Sequence, residues 1–213
     1  MKIAGIDEAG KGPVIGPMVV AGVMVSENRL PSLEQLGVRD SKATSPKRRK
    51  FLAEEIERIA ECYSLNVSAE QIDELRKVMN MNYVMVVCYA KVLHRLNPDM
   101  AFLDAADVIP IRFAQNVREK CDKPIKIISE HNADAKYPIV SAASIIAKVR
   151  RDAAIRVLES EIGQEIGSGY PSDARTQRFL DGWIKKHNSL PPFVRHSWKT
   201  AQAAMKKHAS SLL

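Results

Sequence analysis

Residues 2–25 read KIAGIDEAGKGPVIGPMVVAGVMV, and this stretch decides the fold. The runs KIAGID (2–7) and MVVAGVMV (18–25) are short and rich in β-branched residues, which is typical of strands. The glycines and prolines of the intervening AGKGPVIGP require a loop or a tight turn. We therefore predict a hairpin-like pair of strands, with Asp7 and Glu8 where the first strand ends.

Outward from this pair, apolar runs alternate with segments of helical periodicity. The patterns predict further strands at 62–69, 100–106 and 124–131, and helices at 46–61, 79–96, 111–120, 138–162, 176–186 and 195–209. This order favours an α/β fold in which helices flank a mixed five-stranded sheet, followed by a small helical C-terminal lobe. We predict one domain over residues 1–174 and a basic helical region over residues 175–213.

Length and composition exclude several classes of protein. The 213 residues are 46% hydrophobic and 27% charged, which suits one large domain with a real core and excludes disordered and collagen-like chains. No apolar run reaches the roughly 18 residues of a membrane helix, and the N-terminus does not resemble a signal peptide. The three cysteines contain no CxxC pair, so we expect a cytoplasmic protein without contact to a membrane.

The positive charge is concentrated at the C-terminus. Residues 175–213 contain eight lysines and arginines against the single acid Asp181, which accounts for the whole net charge of +7. Trp183, Phe193 and Trp198 lie in the same region. This pattern indicates either a surface that contacts nucleic-acid phosphates or a solvated basic helix pair with its aromatic residues packed inward.

The loop GIDEAGKG (5–12) carries acidic residues inside a glycine-rich sequence. It matches the phosphate-loop pattern G-x-x-x-x-G-K-S/T except at Gly12, which replaces the hydroxyl residue. Asp7 and Glu8 would repel nucleotide phosphates unless a divalent cation lay between them. The same residues suit a magnesium or manganese site beside a nucleic-acid phosphate, and the alternative is an exposed acidic turn.

Two further acids follow predicted strands, where α/β sheets place their sites. Asp104 closes the run AFLD, and Asp134 follows IISEH. Nearby, we interpret Asp107 as a helix cap and Glu130 as an outward-facing strand residue. Four carboxylates from separate strand ends are able to bind two metal ions, roughly 3.5 to 4 Å apart, that clamp a phosphodiester.

The helix predicted at 138–162 has a polar face that carries Ser141, Ser144, Lys148 and Arg151. Hydroxyls near a helix N-terminus followed by cations suit a phosphate track. N-capping with a solvated face explains the same pattern equally well.

Together, several motifs resemble archaeal ribonuclease HII, the type 2 ribonucleases H. They are GIDEAGKG (5–12), DSK (40–42), DAAD (104–107), HNAD (131–134), SAASIIAKVRRD (141–152), GSGYPSD (167–173) and WKT (198–200). The resemblance implies an RNase H-like fold and endonucleolytic cleavage of the RNA strand of RNA/DNA hybrids. It also implies cleavage at single ribonucleotides in duplex DNA, with 3′-hydroxyl and 5′-phosphate ends.

The same resemblance assigns roles to individual residues. Asp7, Glu8, Asp104 and Asp134 match the carboxylates that bind Mg²⁺ or Mn²⁺, two ions for each active site. Gly10-Lys11-Gly12 matches the turn that senses the 2′-hydroxyl, although many members have arginine in place of Lys11. Tyr170 matches the tyrosine that stacks at the junction between ribonucleotide and deoxynucleotide.

Other substrate contacts and partners follow less directly. We predict that four further residues bind substrate: Ser144, Lys148, Arg195 and Lys199. Residues 202–208 (QAAMKKH) lack the paired aromatics of a sliding-clamp peptide, and we expect a monomer.

Two other functions compete with the ribonuclease, a catalytically silent hybrid-binding module and a phosphate-loop nucleotide enzyme.

Overall fold

The computed structural model describes residues 1–38 and 45–210, and its strands form one mixed sheet. The strands are β1 (Lys2–Ala9), β2 (Met18–Ser26), β3 (Glu61–Val67), β4 (Met100–Asp104) and β5 (Lys126–Glu130). Their order is β3-β2-β1-β4-β5. β1 is antiparallel to β2 and parallel to β4, which is parallel to β5. The predicted hairpin-like pair and the mixed five-stranded sheet are confirmed.

Helices fill most of the remaining described chain. They are α1 (Leu30–Gln35), α2 (Pro46–Ile59), α3 (Ala69–Val78), α4 (Met81–Leu96), α5 (Pro110–Arg118), α6 (Ala133–Lys136), α7 (Pro138–Ile162), α8 (Ala174–His187) and α9 (Lys199–Ser210). The bounds of α7 agree with the prediction. Among the described helices, none is long and apolar enough to cross a membrane. The DSK motif at 40–42 lies outside the described residues.

The helix predictions were wrong in two places. No helix was predicted at α3, whose start has a capping box: the Ser68 hydroxyl accepts from the Gln71 amide, and the Gln71 side chain accepts from the Ser68 amide. The helix predicted from residue 195 begins at Lys199, because the Arg195 amide donates to Val14 O at 2.8 Å. The short helices α1 and α6 were also missed.

The chain divides into two compact units, each built from several segments. The first comprises Met1–Ala9, Val19–Leu65 and Asn80–Arg150, and the second comprises Gly10–Met18, Asn66–Met79 and Arg151–Leu213. The core of the first unit contains apolar residues of β1, β2 and α2 and of the part of α7 before residue 151. The core of the second unit includes Val14, Ile15, Phe179 and Val194. The predicted domain boundary between residues 174 and 175 stays a prediction.

Gly5 allows α7 to pack directly on β1. A Cβ atom added at Gly5 would lie 2.4 Å from the carbonyl carbon and oxygen of Ile139 and 2.6 Å from Val140 N. Backbone atoms cannot move aside as flexible side chains do, so any side chain here would push the helix away from the strand. The absence of a side chain at residue 5 therefore sets how closely α7 approaches the sheet.

We predict that Gly5→Ala lowers the free energy of unfolding by about 3 kcal/mol, because it overpacks a backbone contact. Urea unfolding monitored by circular dichroism measures the change. Gly182→Ala is the matched control: Gly182 lies in α8, and a Cβ there meets nothing within 4 Å. It should raise the free energy of unfolding by up to ~1 kcal/mol, since alanine is the better helix former. Equal effects of the two substitutions would contradict the packing role of Gly5.

Candidate active site

Three carboxylates meet where β1 and β4 end. Asp7, Glu8 and Asp104 each offer an oxygen within 4.8 Å of the others. In the parallel ladder Ile6 is paired with Leu103, so the next residues, Asp7 and Asp104, follow at the same edge of the sheet. β1 continues to Ala9, two residues beyond its predicted end, and Glu8 is its penultimate residue.

Neutral donors orient these carboxylates. The Glu8 amide donates to Asp7 Oδ1 at 2.7 Å, and the Tyr89 hydroxyl donates to Glu8 Oε2 at 2.6 Å. The Ala133 amide donates to Asp104 Oδ1 at 2.7 Å. Each of these bonds fixes an oxygen without adding a cation beside it, so these donors do not relieve the repulsion among the carboxylates.

Burial makes the charge on Asp7 costly. Asp7 is 5% exposed, and its burial, together with the charges of Glu8 and Asp104, raises its pKa well above the usual range. The Ser144 hydroxyl bonds to Asp7 and opposes this rise. Burial also raises the pKa of the Tyr89 phenol, with a further contribution from Glu8, so Tyr89 remains a donor at neutral pH.

Asp134 lies beside the cluster of three and is not part of it. It is 7% exposed and belongs to the short helix α6, which follows Asn132 in a left-handed conformation at φ +55°. Its neighbour Ala133 makes the amide bond to Asp104 described above. The turn after β5 thus links the segment that carries Asp134 to the end of β4.

The two competing acids have cationic partners. Both Asp107 oxygens accept from Arg112, at 2.5 and 3.1 Å, and this bonding lowers the Asp107 pKa. Ile109, not Asp107, occupies the N-cap position of α5, so the predicted cap was assigned to the wrong residue. Glu130 accepts from Lys136 and from the Tyr137 hydroxyl. Both acids are therefore poor candidates for metal ligands.

In the second unit, the glycine turn lies against the loop that carries Tyr170. Gly10 has a φ of +88°, and a Cβ added at Gly12 would be 3.6 Å from the Tyr170 ring. Gly169 O accepts from the amides of Val14 and Ile15 at 2.8 and 3.2 Å, and Tyr170 itself is 42% exposed. The turn leads into β2 and not into a helix, so the helix N-terminus of a phosphate loop is absent and the nucleotide-enzyme interpretation was wrong.

The structure does not support direct phosphate contacts for two of the predicted substrate-binding residues. Ser144 is fully buried, and its hydroxyl accepts from Lys148 Nζ at 2.8 Å. The same hydroxyl bonds to the Asp7 carboxylate. Arg195 is also fully buried, and its guanidinium donates to backbone carbonyls. Lys148 is half-buried and Lys199 is exposed, so contacts by these two lysines stay predictions.

Tyr89 was not predicted from the sequence, and Arg195, which was predicted to bind substrate, is buried against backbone carbonyls. Tyr89 lies in the apolar helix α4, and a buried tyrosine in such a helix needs a hydrogen-bond partner, which is a weak signal of a polar site nearby. For Arg195 no comparable signal exists, because an exposed arginine and a buried one look alike in a sequence rich in basic residues.

The mixed sheet with carboxylates at its strand ends defines an RNase H-like nuclease. The profile of the family described as Ribonuclease HII matches residues 4–201. Ribonuclease HII from Methanothrix thermoacetophila is 57% identical over 203 residues, which cover 95% of this chain and 96% of that protein. This chain belongs to the ribonuclease HII family, whose members are endonucleases that cleave the RNA strand of RNA/DNA hybrids.

Solved structures agree with this assignment. The crystal structure of ribonuclease H2 from Pyrococcus horikoshii OT3 superimposes with a TM-score of 0.92 at 42% identity, covering 98% of this chain and 99% of that one. The ribonuclease HII in the PCNA complex from Archaeoglobus fulgidus gives a TM-score of 0.88 at 46% identity, covering 93% and 96% of the two chains. The predicted RNase H-like fold is therefore confirmed.

We predict that Asp7→Asn raises the Tm of the metal-free protein at pH 7 by about 2–4 °C, the shift that roughly 1 kcal/mol produces in a chain of this size. The raised pKa of Asp7 costs stability only where the unfolded carboxyl is ionised, so the gain should shrink as the pH falls toward 4. Thermal unfolding in EDTA at both pH values measures the effect. Asp122→Asn, at a carboxyl that is 80% exposed, should change the Tm little. A lower Tm for Asp7→Asn at pH 7 would rule out charge repulsion as the dominant effect.

Proposed function

We propose that this chain is a metal-dependent endoribonuclease that cleaves the RNA strand of RNA/DNA hybrids and also cleaves at single ribonucleotides in duplex DNA. The products would carry 3′-hydroxyl and 5′-phosphate ends. The observation that carries the proposal is the cluster of Asp7, Glu8 and Asp104 at adjacent strand ends in a chain of the ribonuclease HII family. A catalytically silent hybrid-binding module would have no need for a buried carboxylate, Asp7, that is repelled by two neighbouring ones.

The donor set of this cluster fits a hard divalent cation. Carboxylate oxygens are the ligands that Mg²⁺ and Mn²⁺ prefer, and a cation would relieve the repulsion that raises the Asp7 pKa. We propose that Asp7, Glu8, Asp104 and Asp134 hold two such ions. When bound, the ions would stabilise the charge that develops on the scissile phosphate and activate water for attack.

The residues around the carboxylates keep the oxygens in place. The Tyr89 hydroxyl and the Ala133 amide each bind one carboxylate oxygen, of Glu8 and Asp104 respectively, so these side chains cannot turn freely. The Ser144 hydroxyl does the same for Asp7 and itself accepts from Lys148. Preorganisation of this kind lowers the cost of ordering the ligands at the moment of reaction.

Substrate recognition is proposed for the glycine turn and Tyr170. The backbone of Gly10-Lys11-Gly12 would contact the 2′-hydroxyl, which locally distinguishes RNA from DNA. Tyr170 is 42% exposed beside Gly12, so its ring is available to stack on a sugar. Arg151 lies over the Tyr170 ring at 5.4 Å and helps to hold it.

The basic region is proposed to bind duplex backbone. Lys199 is exposed at the start of α9, and residues 175–213 carry the whole net positive charge of the chain. We propose that this region holds the duplex for the catalytic domain, residues 1–174. The relative from Archaeoglobus fulgidus was solved with PCNA. Residues 202–208 of this chain lack the paired aromatics of a sliding-clamp peptide, so we do not propose that this segment binds a sliding clamp. We propose a cytoplasmic monomer.

We expect the protein to cleave a duplex that contains one ribonucleotide, in Mg²⁺ and in Mn²⁺, and to leave 3′-hydroxyl and 5′-phosphate ends. Denaturing gels with end mapping identify the products. Asp7→Asn and Asp134→Asn should each reduce cleavage by several orders of magnitude with binding largely retained, because both remove metal ligands and not phosphate contacts. Asp122→Asn is the control acid. Near-normal turnover in either active-site variant would disprove the assignment of that ligand.

Tyr170→Ala should reduce cleavage at a lone ribonucleotide more than cleavage of a long hybrid. In the hybrid, the enzyme is able to bind at neighbouring 2′-hydroxyls when stacking on Tyr170 is lost. We therefore expect the two cleavage rates to differ by about tenfold, which corresponds to roughly 1.4 kcal/mol of stacking energy. Steady-state kinetics on both substrates give the ratio, and Tyr170→Phe, which keeps the ring, is the control. Equal losses on the two substrates would leave Tyr170 with a structural role only.

A further inference from the structure

Arg195 binds the carbonyl side of the glycine turn from within the second unit. Its side chain is fully buried. Nη2 donates to Gly10 O at 2.5 Å, and Nη1 donates to Lys11 O at 2.9 Å. Nε and Nη2 also reach Gly16 O at 3.2 and 3.1 Å. One guanidinium thus fixes the two ends of the loop from Gly10 to Gly16.

Trp198 extends this set of contacts by one residue. The Trp198 indole Nε1 donates to Gly12 O at 3.1 Å. The Arg195 guanidinium lies over the Trp198 ring, 4.8 Å from its centroid, so the two side chains also hold each other. The carbonyls of the consecutive residues Gly10, Lys11 and Gly12 are therefore all bound by the Arg195–Trp198 pair.

This arrangement determines the direction of the turn amides. In a planar trans peptide the N–H points opposite to the C=O of the preceding residue. Since Gly10 O and Lys11 O point toward Arg195, the amides of Lys11 and Gly12 point away from it. The left-handed conformation of Gly10, at φ +88°, permits this turn of the chain. Successive amides that share a direction form a concave site for an electronegative atom.

The charge of Arg195 acts in the same direction. Burial lowers the pKa of its guanidinium to about 9, which leaves it charged at neutral pH. In the described part of the chain the guanidinium donates to backbone carbonyl oxygens and lies over the Trp198 ring, while the charge of Asp73 opposes the fall in its pKa. A buried cation paired with carbonyls polarises those peptide groups and so strengthens their amides as donors.

We propose that Arg195 and Trp198 are positioning residues for ribonucleotide recognition, which hold the Lys11 and Gly12 amides in the orientation that donates to a 2′-hydroxyl oxygen. This inference rests on the proposed role of the glycine turn. It differs from the earlier expectation for Arg195, because the arginine contacts the turn and not the phosphate backbone. Its effect should appear in the preference for a ribonucleotide and not in general affinity for duplex.

The test compares binding to two duplexes that differ by a single 2′-hydroxyl, in the Asp134→Asn background with EDTA so that no cleavage occurs. Trp198→Phe keeps the ring over Arg195 and removes only the indole donor. Arg195→Lys keeps the charge and loses the planar fork that reaches three carbonyls. The control Arg156→Lys alters an exposed arginine of the same unit. Circular dichroism and the Tm establish that each variant is folded.

We expect the preference for the ribonucleotide-containing duplex to fall by about tenfold in Arg195→Lys and by roughly threefold in Trp198→Phe, because misdirected amides lose hydrogen bonds to the 2′-hydroxyl. The affinity for the all-DNA duplex should not change. A purely structural role would weaken both affinities in parallel and would overturn the proposal, as would an unchanged preference in the folded variants. If Arg195→Lys does not fold, Trp198→Phe decides. Cleavage is measured separately, with the unsubstituted protein in Mg²⁺. If that protein cleaves the ribonucleotide-containing duplex but the Asp134→Asn protein in EDTA shows no preference for it, the role of the turn is disproved, whereas absent cleavage by the unsubstituted protein would disprove the proposed function.

Discussion

The parallel pairing of β1 with β4 is the constraint on which the carboxylate site depends. It places Asp7 and Asp104, which are far apart in the sequence, at one edge of the sheet. Gly5 lets α7 approach β1 closely enough for Ser144 to bond to Asp7. A side chain at residue 5 would disturb both the packing of α7 and the bond from Ser144 to Asp7. The contact between Gly5 and α7 therefore matters for stability and for the geometry of the carboxylates.

Each unit buries a charged side chain that lowers its stability, Asp7 in the first and Arg195 in the second. In the first unit, the partners of Asp7 and Glu8 are an amide, a hydroxyl and a phenol, all neutral, whereas Asp107 and Glu130 have cationic partners. In the second unit, Arg195 is bound by carbonyls. Burying a charge is costly, so the carboxylates indicate a site that attracts a cation, whereas the Arg195 charge acts on the peptide groups that it binds.

Helices and strands with strong local signals could be predicted from the sequence, and the others could not. Both ends of α7 have local signals, because Pro138 suits the first turn of a helix and Gly163, in a left-handed conformation, follows its last residue. The helix α3 has few apolar residues and follows a strand directly, so its start was visible only in the Ser68 and Gln71 capping box, which is a short and common pattern. The start of α9 depended on a distant hydrogen bond from the Arg195 amide.

The sequence by itself determined the fold class, the family and the identity of the acids, because strand periodicity, turn residues and motif order are local properties of the chain. Only the tertiary structure decided which acids meet, with Asp7, Glu8 and Asp104 brought together and Asp107 paired with Arg112 instead. It also decided that Arg195 faces inward. Burial and partner choice depend on contacts between distant segments, and a single sequence contains no distances between them.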